Sequence, residues 1–234
     1  LKVKLFADGA DIAGIREMAA NPMIKGFTTN PTLMRKAGIS DYREFALQVL
    51  AVVPDRPVSF EVFADDFPTM EKQAIEIASW GRNVNVKIPV TNTKGEFCGQ
   101  LVKRLSEAGV QLNVTAVMTN KQVGEIVELL APETPAIVSV FAGRIADTGR
   151  DPEDIMTKIN NYIIQSKKDK FKTLWASVRE IFNLFQAERT KTNIITLTPE
   201  ILDKIKLRNK DLHQYSIETA KMFYEDGLKN SLNI

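Results

Sequence analysis

Short apolar runs rich in β-branched residues alternate along this chain with longer stretches of helical period, and that alternation most narrows the folds open to it. Strands buried on both faces read as unbroken apolar runs, and parallel strands need a long crossover, which a helix supplies. About eight such units are present, with strands expected over residues 4–7, 26–28, 58–63, 84–88, 111–115, 136–141, 173–176 and 193–196. Between them lie stretches such as 69–80 and 121–130, where apolar residues recur three and four apart and charges take the remaining face. At 234 residues the chain is near the lower length at which a (β/α)8 barrel closes, so the expected fold is α/β: a single-domain TIM barrel spanning 1–234. The lysine-rich stretch 165–172 reads as a solvated loop, and no internal repeat or linker calls for a second domain. A further helix is expected at about 210–230. Its apolar face (Leu212, Ile217, Ala220, Phe223, Tyr224) needs a partner surface, either across the barrel or on a neighbouring subunit.

Several function classes are excluded early. A net charge of +2 with 26% charged residues gives no electrostatic footprint for nucleic acid. No apolar run approaches the roughly eighteen residues that span a bilayer, and the opening residues lack a signal core, so a soluble, untargeted protein without membrane partners is expected. Leu1 stands where an initiator methionine would be, so residues are expected to precede it. Cys98 is the only cysteine, which fits a reducing, cytoplasmic setting and rules out a cysteine-rich zinc site. His213 is the only histidine and sits in a polar stretch opening the last helix, where it reads as solvated; no Ser-His-Asp triad or multi-histidine metal site is expected.

In a barrel of this kind the active site forms where the strands end, so polar residues in or just after apolar runs are the candidates. Lys87 lies inside Val84-Asn85-Val86-Lys87-Ile88, on the face opposite Val86 and Ile88. Desolvation there disfavours the ammonium and favours the neutral amine that attacks a carbonyl; the alternative is a lysine salt-bridged for structure. Read as an isolated buried charge, Lys87 would be cheap for the fold to lose. Asp8 ends the first strand, Asn30 follows the second, Glu61 interrupts the third, and Asn113 and Thr115 flank Val114 on the fifth. Carboxylates beside a reactive amine serve proton transfer. Asp8 or Asn30 alone reads equally well as a helix cap or turn residue. Ser139 and Arg144 bracket the sixth strand, and Ser177 and Arg179 follow the seventh. Paired arginines there suit an anionic ligand, the alternative being pairing with acids such as Glu180 or Asp147.

The ordered set Asp8, Thr28-Thr29-Asn30-Pro31, Glu61, Val86-Lys87-Ile88-Pro89, Asn113-Val114-Thr115, Phe141-Ala142-Gly143-Arg144 and Ala176-Ser177-Val178-Arg179 resembles the transaldolase family over roughly residues 5–199. By length it is similar to the short transaldolases and the related fructose-6-phosphate aldolases. That resemblance implies a class I aldolase mechanism in which Lys87 forms a Schiff base with a ketose phosphate, with no metal and no organic cofactor. It implies that Asp8 moves the proton of the hydroxyl at the cleaved bond, and that Glu61 and Thr115 work through a water in imine formation and hydrolysis. Asn30 with neighbouring Thr29, Asn113, Ser139 and Phe141 would surround the dihydroxyacetone unit, and Arg144, Ser177 and Arg179 the distal phosphate. Sugar phosphates as substrates, a place in the pentose phosphate pathway, and a homo-oligomer, pentamer or decamer, are likewise what the family implies.

In the aldolase branch the positions of Glu61 and Phe141 typically carry glutamine and tyrosine, so the transferase branch is the closer match. Departures are Val140, where many members have proline, and Arg150, an extra arginine in the loop 145–152. An aldolase-type lyase, an enzyme for a sulfonated or otherwise modified ketose, and a catalytically idle barrel remain as alternatives.

Overall fold

The computed structural model describes residues 1–229. Eight parallel strands close in sequence order into a barrel. They are β1 (Lys4–Asp8), β2 (Ile24–Thr28), β3 (Val58–Glu61), β4 (Val84–Pro89), β5 (Leu112–Val117), β6 (Ala136–Val140), β7 (Phe171–Trp175) and β8 (Ile194–Leu197). Helices α1 (Ile12–Ala20), α2 (Pro31–Lys36), α3 (Tyr42–Val52), α4 (Phe67–Ser79), α5 (Gly99–Glu107), α6 (Asn120–Leu129), α7 (Ala142–Asp147), α8 (Pro152–Gln165), α9 (Phe182–Arg189) and the single turn α10 (Pro199–Leu202) fill the crossovers and follow β8. The expected TIM barrel is the fold observed. No helix among the described residues is long and apolar enough to cross a membrane.

The element boundaries differ from the sequence expectation where a side chain, not the apolar pattern, sets the end. β2 and β7 each begin two residues earlier than expected, at Ile24 and Phe171. Their second residues, Lys25 and Lys172, are exposed and donate to nearby carbonyls, of Pro22 and Asp169, each at 2.7 Å, so a strand residue at the barrel's lower rim carries a charge that reads as loop. β3 stops at Glu61, short of residue 63, because the Gln73 carboxamide takes the next free N–H groups, those of Phe63 and Ala64, at 2.8 and 2.9 Å.

Most helix starts carry the residue types that satisfy orphan N–H groups. Asp11, Asn30, Asp41, Asp66 and Asp151 cap α1, α2, α3, α4 and α8, and Thr119 with Gln122 forms a capping box on α6. Beneath the barrel mouth Phe6, Ile137, Leu174, Ala176 and Ile194 form a buried apolar cluster with Phe141 packed on it. That plug fixes the floor of any site above it.

The chain divides into two compact units, the barrel (Leu1–Leu202) and a C-terminal unit beginning at Asp203. The latter holds a 3-10 turn (Asp203–Leu207) and α11 (Leu212–Lys229), the expected last helix; residue 230 of the expected span lies outside the described residues. None of the α11 side chains is buried, Leu212, Phe223 and Tyr224 among them, and His213 is exposed as expected.

Gly26 is required by the plug. A Cβ there would lie 2.4 to 2.7 Å from the Phe6 ring, which is buried and has nowhere to retreat. Gly26→Ala is therefore expected to destabilise the barrel by about 1–3 kcal/mol. Urea unfolding checks it, and Phe6→Leu in the same chain should recover most of the loss; additivity of the two changes would contradict the contact.

Candidate active site

The C-terminal rim of the barrel opens into a cavity of about 430 Å³. Register explains what lines it. Glu61 pairs with Lys87 and Lys87 with Asn113 across β3, β4 and β5, while Asp8 pairs with Thr28 across β1 and β2. Strand alternation turns these side chains to the same interior.

Lys87 is 6% exposed. Its Nζ donates to the Thr29 carbonyl at 2.6 Å and lies 3.1 Å from Glu61 Oε2. The other carboxylate oxygen of Glu61 accepts from the Thr115 hydroxyl at 3.1 Å. Lys87 is thus not an isolated charge, which corrects the expectation that its loss is cheap: truncation strands a largely buried carboxylate.

On the facing strands the Thr28 hydroxyl donates to Asp8 Oδ1 at 2.8 Å and stands 2.5 Å from the Thr196 hydroxyl. Asn30 does two jobs: Oδ1 accepts from the Leu33 N–H at 3.0 Å as the cap of α2, and Nδ2 reaches toward Asp8 Oδ2 at 3.4 Å. Burial pushes the Asp8 carboxyl above its usual range, against the opposing pull of Lys87 and of the bonds from Thr28 and Asn30. A further chain of bonds runs from β6 through β5 to β3: Ser139 donates to Asn113 Oδ1 at 2.6 Å and Asn113 Nδ2 donates to Ser59 Oγ at 3.1 Å.

The outer end of the cavity is cationic. Arg144 of α7 lies over the Phe141 ring, 5.8 Å from its centroid, and Ser177 and Arg179 come from the loop after β7. These segments meet because residue 143 is glycine: a Cβ there would stand 1.5 Å from the Ser177 carbonyl oxygen. Arg179 is forked onto Asp147, with Nε 3.0 Å from Oδ1 and Nη2 bonded to Oδ2. Arg179 in turn holds the Asp147 carboxyl below its usual range. Arg150 donates to Thr148 and is not part of the cavity wall.

Of the candidates, Asp8, Asn30, Glu61, Lys87, Asn113, Thr115, Ser139, Phe141, Arg144, Ser177 and Arg179 all line the one cavity. Thr29 does not: its hydroxyl donates to the Ser59 carbonyl at 3.0 Å, so it builds the wall and serves Lys87 through its backbone. Sequence reasoning missed Thr196, and treated Thr28 only as part of a motif. Both are polar residues at inward positions of otherwise apolar strands, the same signal that marked Glu61.

A family model described as transaldolase/fructose-6-phosphate aldolase matches residues 5–233. The chain belongs to that family. It is 37% identical over 202 residues to a probable transaldolase of Dehalococcoides mccartyi, covering 86% of this chain and 88% of the relative. A probable transaldolase of Thermoanaerobacter is 35% identical over 237 residues, covering 99% of this chain and 100% of that one. Membership places the chain in the transaldolase and aldolase class of enzymes. Among solved structures, KGPDC from Streptococcus mutans superimposes with a TM-score of 0.58 over 87% of this chain and 91% of its own, at 11% identity, a likeness of barrel fold alone.

The state of Asp8 gives this family member a measurable signature. A carboxyl whose folded pKa is raised binds its proton more tightly when folded, so its contribution to stability is lost as pH rises from the unfolded value of 3.8 through the raised folded one. Relative to Asp8→Asn, the native protein is therefore expected to lose stability from acid toward neutral pH. Chemical denaturation of both across that range checks it, and a constant difference would show that burial leaves Asp8 unstrained.

Proposed function

We propose that the chain is a transaldolase, moving a dihydroxyacetone unit from a ketose phosphate such as sedoheptulose 7-phosphate or fructose 6-phosphate to an aldose phosphate through a Schiff base on Lys87. The observation that carries the proposal is the buried Lys87 ammonium held between the Thr29 carbonyl and Glu61. A proton passed from Nζ to Glu61 frees the amine as a nucleophile. The free amine then adds to the C2 carbonyl to give a carbinolamine. Water departs with a proton supplied by Glu61, aided by the Thr115 hydroxyl that shares its carboxylate, and leaves an iminium on Lys87.

The iminium withdraws the electron pair of the C3–C4 bond. Asp8 takes the C4 hydroxyl proton as that bond breaks, so an aldehyde leaves and a three-carbon enamine stays on Lys87. A carboxyl pushed up by burial is a stronger base than an ordinary one, which suits this step. Attack on a second aldehyde returns the proton, and hydrolysis frees the new ketose. Asn113, Ser139 and Asn30 supply hydrogen bonds to the unit's hydroxyls, Phe141 covers it, and Arg144, Ser177 and Arg179 meet the distal anion. No cofactor enters, the iminium being the electron sink. The lone buried Cys98 supports a cytoplasmic setting and the exposed apolar residues of α11 support assembly of several copies.

One observation favours a second reading, an enzyme for a ketose with a less charged distal group, such as a sulfonate. Asp147 already occupies the Arg179 fork, so one of the two arginines that line the cavity there is partly neutralised.

The test follows fructose 6-phosphate with and without erythrose 4-phosphate, measuring glyceraldehyde 3-phosphate and free dihydroxyacetone together. Product that depends on the acceptor is the expected outcome. Sustained dihydroxyacetone without acceptor makes the protein an aldolase, and silence in both directs the search to modified ketoses. Borohydride with ketose should add mass at Lys87, and Lys87→Met, which keeps the volume, should lower turnover by about four or more orders of magnitude. A Lys87→Met protein with native turnover would remove the imine.

A further inference from the structure

β2 ends at Thr28 because Asn30 turns the chain into α2, so β3 outlasts its neighbour on that side. The last rung between them is the Thr29 N–H donating to the Ser59 carbonyl at 3.2 Å. A strand residue points its own N–H and C=O to the same side, and residues two apart repeat that direction. Glu61 therefore aims both groups at the place β2 has left, while Val62 donates the other way, to the Lys87 carbonyl at 3.1 Å.

One side chain fills that place. The Tyr42 hydroxyl, reaching over from the first turn of α3, accepts from the Glu61 N–H at 2.7 Å and donates to the Glu61 carbonyl at 3.0 Å. A phenol can do both at once. Burial pushes the Tyr42 phenol up, so it keeps the proton it donates. Its ring is fixed by Phe60, Phe63 and Trp80, with centroids 6.1, 4.6 and 5.3 Å away.

We propose that Tyr42 is a positioning residue for proton transfer at Lys87: its hydroxyl replaces the missing strand at Glu61 and so aims the carboxylate that holds both Lys87 and Thr115. The two peptide groups it binds flank the Glu61 Cα, and they set the direction in which the side chain leaves the strand. With the rung gone, the end of β3 is anchored on the β4 side alone, and the carboxylate loses its fixed distance to Nζ. The inference rests on the reading of Lys87 as the imine-forming residue. It separates the two proton-transfer groups, because Asp8 is held from Thr28 and Asn30 and owes nothing to Tyr42.

The experiment is rapid mixing of the full-length protein with fructose 6-phosphate, quenched in borohydride at increasing times, with the mass added at Lys87 as readout. Tyr42→Phe removes one oxygen and keeps the ring. It should slow the appearance of the adduct about ten- to hundredfold, with the final labelled fraction unchanged and kcat falling more than KM. Ile163→Ala truncates a buried side chain of α8, a helix that carries no residue of the cavity wall, and should lower the melting temperature without changing the adduct rate. Native and Tyr42→Phe proteins reacting at one rate would overturn the proposal alone. Equal slowing in Ile163→Ala would assign the effect to lost stability and overturn it too. Native protein that never acquires the mass overturns the imine reading itself, and the proposal with it.

Discussion

The contact on which the site depends is the pairing of Glu61 with Lys87 across two neighbouring strands. Parallel register sets them side by side, and the ammonium and carboxylate meet at 3.1 Å with side chains only 8% and 16% exposed. Two charges so placed are costly to leave unsatisfied, and a buried pair holds only when its remaining lone pairs and protons are also met. The surroundings are arranged accordingly: the Thr29 carbonyl takes one Lys87 proton and the Thr115 hydroxyl binds the second oxygen of Glu61. Such a pair contributes little to stability compared with apolar residues of the same size.

The barrel was legible in the sequence because its signal is redundant. Eight buried parallel strands each announce themselves as an apolar run, and the helices between them carry a second period. The candidate site was legible for a related reason: a lysine, a glutamate or an asparagine inside an apolar strand is conspicuous, and Lys87, Glu61 and Asn113 were found that way. What stayed hidden is what acts through the backbone or from a helix. The service of Thr29 to Lys87 is a carbonyl, which every residue has. Tyr42 opens a helix with an ordinary amphipathic pattern, and only the early end of β2 gives its hydroxyl something to do. Asn30 reads ambiguously in the sequence because its amide is shared, one end capping α2 and the other reaching toward Asp8.

Backbone strain follows the same division between scaffold and site. Positive φ at Lys167 and Lys191 falls just after α8 and α9, where a left-handed residue closes a helix by ordinary means. Ala116 and Ser177 also have positive φ, at 58° and 62°, but both line the cavity. A left-handed alanine or serine costs about 1–2 kcal/mol. Ala116 lies in the register shift between β5 and β6, directly after Thr115, and the bulge there re-aims the strand end. Ser177 turns its carbonyl into the space that Gly143 leaves open, bringing the ends of β6 and β7 close enough for Arg144 and Arg179 to share one cavity.

The two ends of that cavity are built on different principles. The inner end holds two hydrogen-bonded groups, Lys87 with Glu61, Thr115 and the Thr29 carbonyl, and Asn113 with Ser139 and Ser59, so a change in one member disturbs its partners. The outer end is held by one exposed ion pair, Arg179 with Asp147, and by an arginine lying over an aromatic face. Exposed pairs of this kind hold weakly and exchange partners at little cost. An incoming anion therefore competes with Asp147 for a guanidinium already in position, and the strength of that competition depends on the charge the anion carries. The inner end is thus bound from several strands at once, and the outer end by contacts that a single substitution would rearrange.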